Sequence, residues 1–91
     1  MTRPLNKIAA EIRTLWKDRG PRFMFPARPY LDAMLELTDL NQCYGVDPAE
    51  GIVRYLLSNV DSWRGEDARR IKSELHQLLE ENDASHTSEK R

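Results

Sequence analysis

Ninety-one residues, 40% hydrophobic, 8% aromatic and 32% charged, describe one folded domain rather than a disordered or membrane-spanning chain. Fourteen Lys and Arg against fifteen Asp and Glu leave a net charge of −1, which removes the global attraction that drives non-specific coating of nucleic acid. A chain this short buries only about 60% of its unfolded surface, so association with itself or a partner is a natural source of further stability.

The charge is unevenly spread. Residues 1–30 carry seven basic and two acidic side chains, residues 31–60 one and five, and residues 61–91 six and eight. Such polarity either pairs the first segment with the middle one inside the fold or leaves a basic surface facing outward. A single cysteine, Cys43, has no disulfide partner in the chain, which points to a reducing compartment, the cytoplasm. No apolar run reaches signal-peptide length at the start or the roughly 20 residues of a membrane span, so neither secretion nor membrane insertion is expected.

In chain order, Leu5, Ile8, Ala9, Ile12, Leu15 and Trp16 fall on one face of a helix over residues 2–18, with Thr2 as its N-cap, Pro4 in its first turn and Gly20-Pro21 ending it. The stretch from Gly20 to Tyr30 holds three prolines and reads as an ordered loop. Its Phe23, Met24 and Phe25 either tuck under the helices as a lid or form an exposed interface loop. Pro29 opens a second helix through about Asp39, with Tyr30, Leu31, Met34 and Leu35 on one side and Asp32, Glu36 and Asp39 on the other. Residues 41–46 read as a loop. Asp47-Pro48-Ala49-Glu50 combines an N-cap, a first-turn proline and an N3 glutamate, and starts a third helix that runs to about Asn59 or Val60 on an Ile52, Val53, Leu56, Leu57 and Val60 stripe.

After a polar break at residues 58–62, Ala68, Ile71, Leu75, Leu78 and Leu79 predict a fourth helix over about 63–81. Residues 82–91 are polar and aperiodic and read as a flexible tail. With no strand pattern and no repeat, the expectation is an all-α domain over 1–81, four helices in an irregular bundle.

Catalytic and metal signatures are missing: no Gly-rich phosphate loop, paired-cysteine knuckle, HExxH or nucleophile elbow occurs, and Cys43 has no evident base. Glu74, His76 and Glu80 are too few ligands for a metal site by themselves and read as polar groups on a helix surface. No enzyme, metal or cofactor is therefore expected.

The stretch from Ser58 to Arg70 is the most informative. It gathers Trp63, Arg64, Arg69 and Arg70 with Asn59 near a helix start, the chemistry of a pocket for a nucleotide or other anion. The same residues also suit a purely structural role, with Trp63 packed over the junction, Asp61 or Ser62 capping, and Glu66 paired with Arg69 or Arg70. Trp16, Lys17, Arg22 and Tyr30 form a second candidate cluster, either a basic and aromatic binding surface or the rim of the core. Helix-turn-helix reading of DNA is disfavoured, because Asp61, Glu66 and Asp67 would face phosphates.

Several of these segments together resemble a set of small uncharacterised proteins of bacteriophages and prophages, chiefly of actinobacteria. The likeness rests on Arg3-Pro4-Leu5, Glu11-Ile12-Arg13, Trp16-Lys17, Pro29-Tyr30-Leu31-Asp32-Ala33-Met34, Tyr44-Gly45-Val46-Asp47, Tyr55-Leu56-Leu57-Ser58-Asn59 and Trp63-Arg64-Gly65-Glu66. It spans most of the chain, with the Arg19–Arg28 loop longer and more proline-rich than that pattern. The resemblance implies a phage accessory protein; the family has no established activity, so no functional residue carries over. The leading expectation is a non-enzymatic interaction protein in the host cytoplasm that binds and modulates a host or phage protein, with a homodimer as a further possibility. The alternative is a binder of a nucleotide, signalling molecule or nucleic-acid segment at the Trp63 cluster.

Overall fold

A computed structural model describes residues 3–20 and 22–89 of the chain, with side chains through Asn82. Four α-helices form one all-α domain among the described residues: α1 (Leu5–Trp16), α2 (Arg28–Met34), α3 (Ala49–Ser58) and α4 (Glu66–Glu89). The periodic apolar residues of each meet in one core, where Ile8, Ile12 and Trp16 of α1 pack with Met34, Val53, Leu56, Ile71 and Leu75, all essentially inaccessible to water. No charged or polar residue is buried with them among the described residues.

The helix ends differ from the periodicity in ways that the tertiary contacts explain. Thr2, the expected first cap, lies outside the described residues; Pro4 itself is the N-cap, and the Leu5 amide donates to the Thr38 carbonyl at 2.9 Å. A single 3₁₀ turn, Lys17–Arg19, follows α1 and stops at Gly20, whose φ of 90° a side chain would resist. Helix α2 ends at Met34 rather than Asp39. Beyond it the Gln42 carboxamide oxygen accepts the amides of Thr38 at 2.6 Å and Asp39 at 3.2 Å, taking donors that a longer helix would use. The shorter helix lets Leu37 enter the core and turns Thr38 toward α1.

The expectation that strands are absent is corrected by a two-residue antiparallel hairpin, β1 (Cys43–Tyr44) and β2 (Asp47–Pro48), which turns at Gly45 with φ 64°. Asp47 therefore belongs to a strand and does not cap α3; Pro48 holds the N-cap position, and the Ala49 amide is satisfied by the Gln42 carbonyl at 2.8 Å.

Helix α4 begins at Glu66, three residues later than expected, because Gly65 at φ 113° breaks the helical path. It then continues through Glu89, so residues 82–89 extend the helix instead of forming an irregular tail. This stretch lacks proline and glycine, and each further residue adds one hydrogen bond to a helix already nucleated. The Asn82 side chain donates to Glu50 Oε1 of α3 at 3.3 Å. No helix among the described residues is long and apolar enough to cross a membrane.

An ionic clasp joins the start of the chain to α1 and α4. Arg3 grips Glu74 with two bonds, 3.1 Å and 2.8 Å, and reaches Glu11 at 2.8 Å, while Arg70 reaches Glu11 at 2.6 Å and Asp67 at 3.1 Å. The hydrogen bond from Arg70, with that from Arg3, outweighs the upward push of partial burial and holds the Glu11 carboxyl below its ordinary value; the Arg3 bonds do the same for Glu74.

Candidate functional site

The Trp63 cluster assembles only in part. Trp63 is 5% exposed and meets the buried Trp16 edge-on, ring centroids 5.3 Å apart, so its faces belong to the core and leave little for stacking a ligand. Asn59 donates to the Tyr55 carbonyl at 2.8 Å at the end of α3, and Arg70 is held in the clasp rather than paired with Glu66. What remains is a depression of about 260 Å³ lined by Asp61, Trp63, Arg64, Gly65, Arg69 and Lys72. The Lys72 ammonium donates to the Trp63 carbonyl at 2.7 Å, whereas the guanidinium groups of Arg64 and Arg69 make no ion pair or hydrogen bond among the described residues. Neither Asp61 nor Ser62 caps α4; the Gly65 carbonyl accepts the first helical bond, from Arg69 at 3.0 Å, and the Ser62 hydroxyl lies 3.9 Å from Met24 Sδ. Because both arginine side chains project from the surface, Arg64→Ala and Arg69→Ala are expected to change the unfolding free energy by no more than about 0.5 kcal/mol, measured by urea titration of the circular-dichroism signal. A loss of several times that would assign these residues to holding the junction.

The loop between α1 and α2 divides the two readings of its apolar triplet. Phe23 and Met24 pack partly buried against the core, Phe23 edge-on to Trp16 at 5.8 Å, while Phe25 stays 67% exposed. Arg28 fixes the loop by donating to the Phe23 carbonyl at 2.8 Å and the Gly20 carbonyl at 3.0 Å. The second candidate cluster does not gather: Trp16 is core, and Tyr30 stacks on Tyr55.

That tyrosine pair marks a site which the sequence did not single out. Tyr30 of α2 and Tyr55 of α3 lie 5.4 Å apart at 23°, with Tyr55 59% and Tyr44 of the hairpin 45% exposed. The three border a groove of about 530 Å³ whose remaining lining is Pro29, Ala33, Asp47, Pro48, Gly51 and Ile52. Its walls thus come from α2, the hairpin and the first turns of α3. Pro48, Gly51, Ile52 and Tyr55 recur at helical spacing, and a tyrosine on the polar side of α3 one turn after a glycine was the signal available in the sequence. Rings with one apolar body and one polar tip suit a surface that is dry when occupied and wet when empty.

Among the described residues no three His, Cys, Asp or Glu side chains gather as a metal site, and Cys43 is exposed on β1. The chain matches no protein-family model, no curated protein and no solved structure.

Proposed function

We propose that this chain is a non-enzymatic interaction protein, of the phage accessory kind and acting in the host cytoplasm, that binds and modulates a host or phage protein. Its binding face is the tyrosine groove. The observation that carries this reading is the grouping of Tyr30, Tyr44 and Tyr55 around one open groove, in a chain whose other aromatic rings, Phe25 apart, pack into or against the core. Tyrosine and tryptophan dominate binding hot spots because a rigid ring buries much area at little entropic cost.

The test is a photocrosslinking amino acid placed at position 44, with the same group at the exposed Glu80 position on α4 as control, in lysate of the host cell. A discrete protein adduct from position 44 and none from position 80 is expected. Equal labelling from both positions, or none from position 44, overturns the reading.

A second reading is kept because Arg64 and Arg69 have no partner among the described residues around their depression: an anionic ligand held there by charge-assisted hydrogen bonds. It predicts that native mass spectrometry with added nucleoside triphosphate records an increment of a few hundred daltons, lost in Arg64→Ala and weakened steeply by salt. An unchanged mass removes it.

A further inference from the structure

Taking the tyrosine groove as a protein-binding face, on which this inference rests, we propose that its occupant is an extended, proline-containing segment of a partner that carries an arginine or lysine. Flat aromatic faces beside proline walls are the surface on which a polyproline-type helix docks, because pyrrolidine rings lie against tyrosine rings without losing hydrogen bonds. The nearly parallel Tyr30 and Tyr55 rings supply such faces, with Tyr44, Pro29 and Pro48 around them. A polyproline-type segment makes no internal hydrogen bonds, so its carbonyls are free to accept. The hydroxyls of Tyr30, Tyr44 and Tyr55 make no hydrogen bond among the described residues and are available to donate to them.

Other peptide forms suit the groove less well. Strand addition needs a free edge of some length, and here each strand has two residues, one of them Pro48, which lacks an amide hydrogen. An amphipathic helix needs a long row of aliphatic anchoring positions; the only large aliphatic side chain in the lining is Ile52, which is 4% exposed.

Charge selects the cation. Asp47 is the one ionised side chain in the lining, and no base accompanies it. Along α2 the exposed Asp32 stands one turn beyond Pro29. The one cation of residues 31–60, Arg54, is paired with Glu50 at 2.8 Å. An arginine or lysine beside the prolines would therefore meet an acidic rim.

Gly51 supports the same conclusion. It lies within α3 without a positive φ, and a Cβ there would meet only Pro48 Cγ, at an ordinary 3.8 Å. The fold accommodates alanine at this position, and alanine is the better helix former. Glycine leaves the floor of the groove open.

The experiment is fluorescence anisotropy with a labelled synthetic twelve-residue peptide containing six prolines and two arginines, together with an NMR titration of the isotope-labelled full chain. Saturable binding is expected, with shifts confined to residues 29–33 and 44–55. At least tenfold weakening is expected for Tyr55→Ala and Gly51→Leu, and for the peptide with its prolines replaced by alanine; replacing its arginines by glutamate also weakens binding. Tyr44→Ala provides a second exposed variant, and thermal unfolding by circular dichroism checks that each variant folds. If the alanine peptide binds as well as the proline one, the inference fails while the groove remains a protein-binding face. If no peptide binds but the position-44 adduct still forms, the occupant is of another class and the inference again fails. Absence of both binding and adduct overturns the underlying reading as well. A concentration-dependent doubling of mass that Tyr55→Ala abolishes and the peptide does not compete would place a second copy of the chain in the groove and overturn the inference.

Discussion

Trp63→Ala is expected to lower the unfolding free energy by about 3–5 kcal/mol, the range for truncating a large aromatic side chain in a core. The indole is 5% exposed, packs edge-on to Trp16 at 5.3 Å, and closes the core where the connection from α3 passes into α4. Its removal leaves a cavity between α1 and that connection, and it also strips one wall from the contact that Trp16 makes. A domain of this size has only a few kilocalories of stability to lose, so the variant should populate the unfolded state measurably at room temperature. The chain has two tryptophans, and both are buried, so their fluorescence during urea titration reports this core directly. Destabilisation below about 1 kcal/mol would show that Trp63 is not a core residue, and the stacking role that its neighbouring arginines suggest would return.

Acidification is expected to weaken the fold through the clasp. The carboxyls of Glu11 and Glu74 lie below their ordinary value of 4.5 when folded, chiefly through hydrogen bonds from Arg70 and Arg3 respectively. A group depressed on folding contributes stability that is fully present above its unfolded value and is lost as pH falls through its folded value. Stability should therefore hold at neutral pH and decline as pH drops below about 4.5. Glu74→Gln is expected to cost about 1–2 kcal/mol at pH 7, more than the ~0.2–1 kcal/mol of an exposed pair, because Arg3 grips it bidentately. The Glu74 side chain is 19% exposed and that of Arg3 38%, so salt screens part of the effect. The same variant should flatten the pH dependence below about 4.5. Urea midpoints measured at several pH values check this; a slope unchanged by Glu74→Gln would remove the clasp from the acid response.

Most core positions of the helices were legible from the spacing, although Leu15, Leu57 and Leu78 of the same stripes stay half-buried at the edge of the core. Leu5, Ile8, Ala9, Ile12 and Trp16 on α1, and Ala68, Ile71, Leu75 and Leu79 on α4, follow helical spacing and are all buried. The element ends were less legible, since distant groups set them. Gln42 stops α2 by accepting amides three and four residues before it, and its carbonyl holds the Ala49 amide that opens α3. A hairpin of two residues per strand, with Pro48 in one of them, has no alternation long enough to register as a strand. The candidate site fared similarly. Arg64 and Arg69 share a depression, but Arg70, their neighbour in sequence, turns to Glu11, 59 residues away.

Periodicity specifies which face of a helix is apolar, so the sequence alone determined that this chain folds into helices, which side of each helix turns to the core, and that the segment with Phe23 and Phe25 is an ordered loop. Periodicity does not name the partner of a face. Only the tertiary structure decided that Trp63 closes the core against Trp16, that the arginines of residues 3 and 70 converge on one glutamate, and that three tyrosines from separate segments meet at one groove. Each of these depends on how helices pack across the core, a property of side chains far apart in the chain.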